Sequence, residues 1–209
     1  IIQTLMTDPL RFSRFQFSGL LTVIDGVLGA RTLENFLVSV KQAALADCLV
    51  VSKIDLSENH NLLKQKIRNI NSTAPIIFSS KGEIDPQMLP GFGQVTISNI
   101  PTTLTEGNKP AHGDGIFEVS RVINDRIQFS VFEKWVNQLQ EDYGANLLRL
   151  KGIIHFEGQD APSVIQVVQH IIYPLETLSV QSSEEIGRLV LIGQEISRHE
   201  LVAALEDLT

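Results

Sequence analysis

Val50-Val51-Ser52-Lys53-Ile54-Asp55-Leu56 is the stretch on which the fold turns: an apolar run that begins at Cys48 and stops on a polar Ser-Lys-x-Asp tetrad. Apolar residues without polar alternation read as a strand buried on both faces, as in parallel sheets. The same grammar repeats upstream. Leu20-Leu21-Thr22-Val23-Ile24 is apolar or β-branched throughout and ends at Asp25, which predicts another two-face-buried strand. Between these strands Leu33, Phe36, Leu37, Val40 and Ala44 fall at helical spacing, with Thr32 placed as N-cap, predicting one amphipathic helix of about four turns. Downstream, Ser57 stands as cap to a helix whose face is Leu62, Leu63, Lys66, Ile67 and Ile70, and Asn71-Ser72 closes it. Pro75-Ile76-Ile77-Phe78 supplies a third strand and ends in Ser79-Ser80-Lys81-Gly82. Strands and helices alternating through short links imply right-handed crossovers and a parallel sheet, whose ligand lies beyond the carboxyl ends of the strands. Asp25, Ser52 to Asp55 and Ser79 to Lys81 all fall at those ends.

The pattern dissolves between about Pro90 and Gly115, where Pro90-Gly91-Phe92-Gly93, Pro101-Thr102-Thr103 and Glu106-Gly107-Asn108-Lys109-Pro110 read as a linker. Beyond it the grammar changes. Ile116 to Ile123 reads as a strand, and Phe129, Phe132, Val136 and Leu139 line a helix that Gly144 ends. Leu147 to Phe156, Ser163 to Ile172, Glu176 to Val180 and Arg188 to Ile192 then follow with little helix between them. Asp160-Ala161-Pro162 is a turn signal, so the first two of these strands should pair antiparallel. Ser197 caps a last helix to Glu206, with Leu201, Val202 and Leu205 on one side. The expected fold is α/β: part of a parallel-sheet domain over residues 1–90, a linker over 91–114, and a small α+β domain over 115–209 with an antiparallel sheet and helices on one face.

Composition bounds the function classes. The 209 residues are 43% hydrophobic, enough to bury a core. The net charge of -7 comes from acidic and basic residues mixed along the chain, with no basic stripe to track phosphates, which argues against nucleic acid as partner. One cysteine, Cys48, excludes an intrachain disulfide and reads as strand packing, which suits a cytoplasmic protein. No apolar run reaches the roughly 18 residues that span a bilayer, so no membrane partner is expected. The chain opens on Ile1, and the helix-like Ile1-Ile2-Gln3-Thr4-Leu5-Met6 leads to the expectation that the natural protein starts well upstream.

The tetrad resembles the guanine-reading motif of P-loop GTPases, usually Asn-Lys-x-Asp. Guanine offers a ring N–H and an exocyclic amine on one edge, and a fixed carboxylate accepts both. Asp55 has that chemistry, and Lys53 can lay its aliphatic stem along the base. Ser52 supplies less than the amide it replaces. Four letters alone also fit a solvated strand-to-helix turn. Two features favour the functional reading: a buried-type strand leads directly into the tetrad, and Ser79-Ser80-Lys81 is similar to the Ser-Ala-Lys loop whose backbone contacts guanine in many GTPases.

Further segments resemble the CobW family of metal-linked P-loop GTPases, relatives of the urease and hydrogenase nickel-insertion GTPases. Val23-Ile24-Asp25-Gly26 is similar to the family's Val-Val-Asp-Ala, and Ala46-Asp47 precedes the base-reading strand as it does there. Leu148-Arg149-Leu150-Lys151-Gly152-Ile153 resembles its Arg-x-Lys-Gly segment, Gln166-Val167-Val168-Gln169-His170 its Gln-x-Val segment, and Arg188-Leu189-Val190-Leu191-Ile192-Gly193 its Arg-Leu-Val-Phe-Ile-Gly strand. These matches run in family order across nearly the whole chain. The resemblance implies a GTP-driven metallochaperone, using GTP and Mg²⁺ in the intact protein and handling zinc or cobalt for a metal-dependent client or for cofactor insertion such as cobalamin biosynthesis. In that reading Ser52, Lys53, Asp55, Ser80 and Lys81 contact the nucleotide. The family's phosphate-binding loop, Cys-x-Cys-Cys motif and switch-region Glu have no counterpart in these 209 residues. The expectation is therefore a chain with no catalytic residue, no metal ligand and no cofactor of its own, which does not hydrolyse GTP alone.

Other residues carry less. His60, His112, His155, His170 and His199 are too scattered for a recognisable metal spacing. His170 reads as a structural histidine in a strand flanked by Val168 and Ile172, and His112 as a solvated loop histidine. Arg149 and Lys151 alternate with Leu148 and Leu150, so they either cover a solvated sheet face or meet the first domain or a client. Trp135 reads as core or interface packing. Asp25 either reaches a Mg²⁺ shell or switch region, or caps the turn after its strand. Two rivals to a GTPase remain. A non-enzymatic module would bind a client through the C-terminal sheet. A dinucleotide enzyme would need Gly-x-Gly-x-x-Gly after the first strand, which Asp25-Gly26-Val27-Leu28-Gly29 does not provide.

Overall fold

Cys48–Ser52 (β2) is the middle strand of a three-stranded parallel sheet in the computed structural model, which describes residues 19–57, 60–89, 115–178 and 187–208. Its neighbours are Leu21–Asp25 (β1), paired in register from Leu21 with Cys48 to Asp25 with Ser52, and Ile76–Phe78 (β3). Side chains of β2 alternate between two cores, as pleating requires. Leu49 and Val51 join Val40, Ala43, Ala44, Leu63 and Ile67. Cys48 and Val50 join Ile77 on the opposite face. Cys48 is thus packing, and burial raises its thiol pKa.

Four expectations for this part need correction. β1 is not buried on both faces: Val23 is 61% exposed, because β1 is the outer strand of the described sheet and Ile84 and Leu89, packed on that face, leave Val23 uncovered. The single four-turn helix is two, Gly29–Asn35 (α1) and Leu37–Leu45 (α2), meeting at Phe36, which is extended (φ -131°, ψ 107°) and 60% exposed. Thr32 is not an N-cap but lies inside α1. Its hydroxyl donates to the Leu28 carbonyl and the Asn35 amide donates to the Arg31 carbonyl, so side chains compete with the backbone ladder where α1 ends. The next helix, His60–Ile70 (α3), buries Leu63, Ile67 and Ile70 but leaves Leu62 exposed.

The second part is a six-stranded sheet: Ile116–Ile123 (β4), Leu147–Ile154 (β5), Ser163–Val168 (β6), Ile171–Ile172 (β7), Glu176–Thr177 (β8) and Gly187–Gln194 (β9), in the order β4-β9-β5-β6-β7 with β8 beside β6. Every pairing is antiparallel, including β5 with β6 across the Asp160 turn. Phe129–Tyr143 (α4) and Arg198–Glu206 (α5) cover one face through Phe132, Trp135, Leu139, Leu201 and Leu205. Trp135 is core, with its Nε1 donating to the Ala204 carbonyl at 2.7 Å. Ser197 caps α5 as expected, in a reciprocal capping box with Glu200. His170 is not in a strand: Gln169 takes a positive φ of 53°, and the pair forms a two-residue turn between β6 and β7 with Gln169 half-buried and His170 exposed. The continuous β-branched run on both sides concealed that turn.

The opposite face of this sheet lies against α2 and α3, with Leu148, Ile153, Val164, Val168, Val190 and Ile192 sharing one core with Val40, Ala43, Ala44, Leu63, Ile67 and Ile70. All eight residues of β5 are therefore buried. A register shift between Leu147 and Arg149 places Leu148 in the core shared with the first part, whereas Leu150 belongs to the α4–α5 side. The two leucines do not share the face that simple alternation gave them. The opening helix-like segment, Phe12, Phe15, Phe17, the linker over 91–114 and His112 lie outside the described residues.

Candidate functional site

At the carboxyl end of β2 the tetrad leaves the sheet in a defined loop. Ser52 ends the strand, Lys53 takes the left-handed conformation (φ 56°, ψ 35°), and Ile54–Leu56 form a single 3₁₀ turn. A left-handed lysine is uncommon and needs local support. The support comes from β1. The Gly26 N–H donates to the Ser52 carbonyl at 2.7 Å, and Lys53 Nζ donates to Asp25 Oδ2 at 2.7 Å. Gly26 is required by space, since a Cβ there would sit 2.5 Å from the Ser52 carbonyl oxygen. Asp25 also caps the turn it begins: its Oδ1 accepts from the N–H groups of Val27 and Leu28 at 2.8 and 2.9 Å. The bond to Lys53, more than these caps, holds the Asp25 carboxyl below its ordinary pKa.

The loop after β3 is fastened to the same place. The Ile54 N–H donates to the Ser79 carbonyl at 3.3 Å, and the Ser79 hydroxyl donates to the Glu83 carbonyl at 3.0 Å. Ser80 to Glu83 form a tight turn closed by Glu83 N–H to the Ser80 carbonyl, with Lys81 and Gly82 both at positive φ (51° and 80°). The structure therefore places Ser52, Lys53 and Asp55 in one loop and Ser80 and Lys81 in its neighbour, all beyond the carboxyl edge of the parallel sheet. Lys53, Asp55 and Lys81 are exposed. The Asp25–Lys53 pair and the Gly26 contact went unread in the sequence. Their signal was the parallel register, which sets Asp25 beside Ser52 and so one residue from Lys53.

A second polar cluster joins the two sheets. Arg149 is 1% exposed and pairs with Asp47, while its Nη1 donates to the Leu45 carbonyl at 2.7 Å. Of the alternatives open for Arg149 and Lys151, the structure selects contact with the first part. Asp47 Oδ2 accepts from the Leu20 N–H at 2.8 Å, so one carboxylate ties the start of β1, the approach to β2 and the far sheet. Glu118 on β4 accepts from the Ser72 N–H at 2.9 Å, and burial raises its pKa. Lys151, 3% exposed, has its pKa pushed down to about 7 by burial and then by the neighbouring Arg149 charge. Among the described residues no group of three His, Cys, Asp or Glu side chains is arranged to hold a metal, and no helix is long and apolar enough to cross a membrane.

A parallel sheet with two loops fastened together at its carboxyl edge, docked through α2 and α3 onto an antiparallel α+β sheet, belongs to the α/β class whose ligand edge is the carboxyl end of the strands. Family comparison gives the same division: residues 1–78 match the CobW/HypB/UreG nucleotide-binding domain, and residues 118–209 match the cobalamin synthesis protein cobW C-terminal domain. The chain belongs to the CobW family. Among curated relatives, the zinc chaperone YjiA of Escherichia coli (strain K12) is 22% identical over 212 residues, an alignment that covers 100% of this chain and 66% of the relative. The crystal structure of Zn(II)-bound YjiA GTPase from E. coli superposes with a TM-score of 0.78 at 21% identity, over 100% of this chain and 66% of that one. A Zn(II)-bound triple mutant of the same GTPase gives a TM-score of 0.78 at 20% identity, over 99% and 66%. The chain thus spans just under two thirds of the length of these relatives.

Proposed function

We propose that this chain is the guanine-reading part of a GTP-dependent metallochaperone, joined to the C-terminal domain that relays nucleotide state to a metal-dependent client. One observation carries the reading: Lys53 is held in a strained left-handed turn, with Asp55 exposed beside it and the Ser79–Lys81 loop bonded to the same turn. In this reading the Asp55 carboxylate accepts the guanine ring N–H and exocyclic amine, an edge adenine lacks. The Lys53 stem lies along the base. Backbone of Ser80 and Lys81 borders the opposite side, and Ser52 assists only through a long contact, 3.4 Å, to the Ile24 carbonyl.

The residues present fit a base and not a triphosphate. No Gly-x-x-x-x-Gly-Lys-Ser/Thr occurs in the 209 residues, so phosphate and Mg²⁺ binding are not assigned to them and the chain alone hydrolyses no GTP. Zinc or cobalt is the cargo class suggested by the family and by the relatives' names, a cytoplasmic setting fits a single buried thiol, and the functional division follows residues 1–90, 91–114 and 115–209. A module that binds a client on its C-terminal sheet is less supported, because helices cover both faces of that sheet.

The test is calorimetric titration of the full-length protein with GDP and ADP. GDP should bind at least tenfold tighter, and Asp55→Asn should erase most of that preference. Equal binding of the two nucleotides by the unaltered protein would sink the guanine assignment.

A further inference from the structure

The geometry points to Asp25 as the positioning residue that aims Lys53 at the guanine base, taking over a bracing task that Ser52 is too short to perform. The inference rests on the guanine reading of the tetrad and adds a residue from outside it. Three observations support it. The Ser52 hydroxyl reaches across to β1 only at 3.4 Å from the Ile24 carbonyl, a marginal bond. Asp25 reaches back the other way with a 2.7 Å charge-assisted bond to Lys53 Nζ. Its second oxygen is fixed by the Val27 and Leu28 N–H groups, so the carboxylate is held from behind while it holds the lysine.

The alternatives for Asp25 were a Mg²⁺ shell or a turn cap. The structure makes it the cap, but only one oxygen does that work, and the other is spent on the lysine. A lysine left free at a left-handed turn would sample many rotamers, and binding a base against its stem would have to order them. Anchored at Nζ, the side chain is already laid across the carboxyl edge of β1 and β2. Lys53 is still 58% exposed and the Asp25 carboxylate 28%, so in the free protein the pair is worth little to stability. Its value lies in arranging Lys53 before the base arrives.

Asp25→Asn separates the two roles, since the amide oxygen can keep both turn bonds while the charge that holds Lys53 is lost. In full-length protein, Asp25→Asn should weaken GDP binding about fivefold and leave the melting temperature within a degree or two. In a Lys53→Met background the same change should have no further effect on GDP affinity, because Asp25 acts only through the lysine. Asp25→Glu should fail to restore affinity unless it regains the lysine contact, which Lys53 side-chain NMR reports. Undiminished GDP binding by Asp25→Asn, or equal losses in both backgrounds, would overturn the proposal. Absence of GDP binding by the unaltered protein would instead overturn the guanine reading beneath it.

Discussion

Lys151 shows how one residue carries a legible sequence and an illegible environment. Its alternation with Leu150 was visible, and the face it would meet was not, because an exposed and an inter-sheet face have the same period. Burial, and then the neighbouring Arg149 charge, lower its pKa from 10.5 to about 7, with Asp47 acting in the opposite sense and Gln166 paired to it across the strands. The folded pKa lies below the unfolded one. Between pH 7 and 10.5 the unfolded chain therefore holds a proton that the folded amine has lost, and stability rises with pH across that window. Below pH 7 both states are protonated and the contribution is flat. Urea unfolding at pH 6.5, 8 and 9.5 should show a stability gain, on the order of a few kcal/mol, for wild type relative to Lys151→Met, with the gap between the two closing as pH rises. The difference between the proteins cancels the titration of Cys48, whose raised pKa acts in the opposite sense above pH 8.5 or so. A pH-independent gap would mean that Lys151 is not desolvated as the structure has it.

At the scale of elements, strands were read better than helices. Every described strand of the parallel sheet lies within a residue or so of its apolar or β-branched run, although only β2 is buried on both faces. The α1–α2 break at Phe36 is not legible in the sequence, since the Thr32 and Asn35 side chains bond the Leu28 and Arg31 carbonyls without disturbing the apolar spacing. The largest omission was Asn71, read only as the end of a helix. Fully buried, it donates through Nδ2 to the carbonyls of Ala43, Ala44 and Ala46 at 2.9, 3.3 and 3.0 Å. Its Oδ1 accepts from Thr73 N–H, Thr73 hydroxyl and Ala74 N–H. Arg149 takes the intervening Leu45 carbonyl, so the open end of α2 is satisfied by side chains from α3's end and from the other sheet. Asn71→Ala strands several buried groups and should cost about 3 kcal/mol or more in denaturant unfolding. Asn71→Asp, which loses the donors but keeps the acceptor, should be no better. A loss below 1 kcal/mol would show that water replaces the amide.

Whether the two sheets behave as one folding unit is a question for the whole molecule, and composition alone suggests two: a linker-like stretch separates two different secondary-structure grammars. The packing argues otherwise. One core holds side chains of both sheets, and Arg149, with 2% of its side chain exposed, is bonded across it to Asp47 and Leu45. Separating the sheets would put that shared core into water and break the bonds of Arg149 to Asp47 and Leu45, and the exposed apolar surface opposes it. Opening between them should therefore lie close in free energy to global unfolding, and denaturation should be two-state. The chain carries its own probes, one tryptophan and one cysteine, on opposite sides of the junction. Trp135 lies under α5 in the second part, and Cys48 is buried in β2 of the first. Its raised pKa and burial keep the thiol unreactive while the sheet is intact. In a urea series, the fluorescence change of Trp135 and the onset of Cys48 labelling should share one midpoint and one slope. Arg149→Met should shift both midpoints down together, by about 3 kcal/mol of stability. Labelling of Cys48 well before the fluorescence transition, in either protein, would mean that the parallel sheet opens on its own and that the junction does not bind the two parts into one unit.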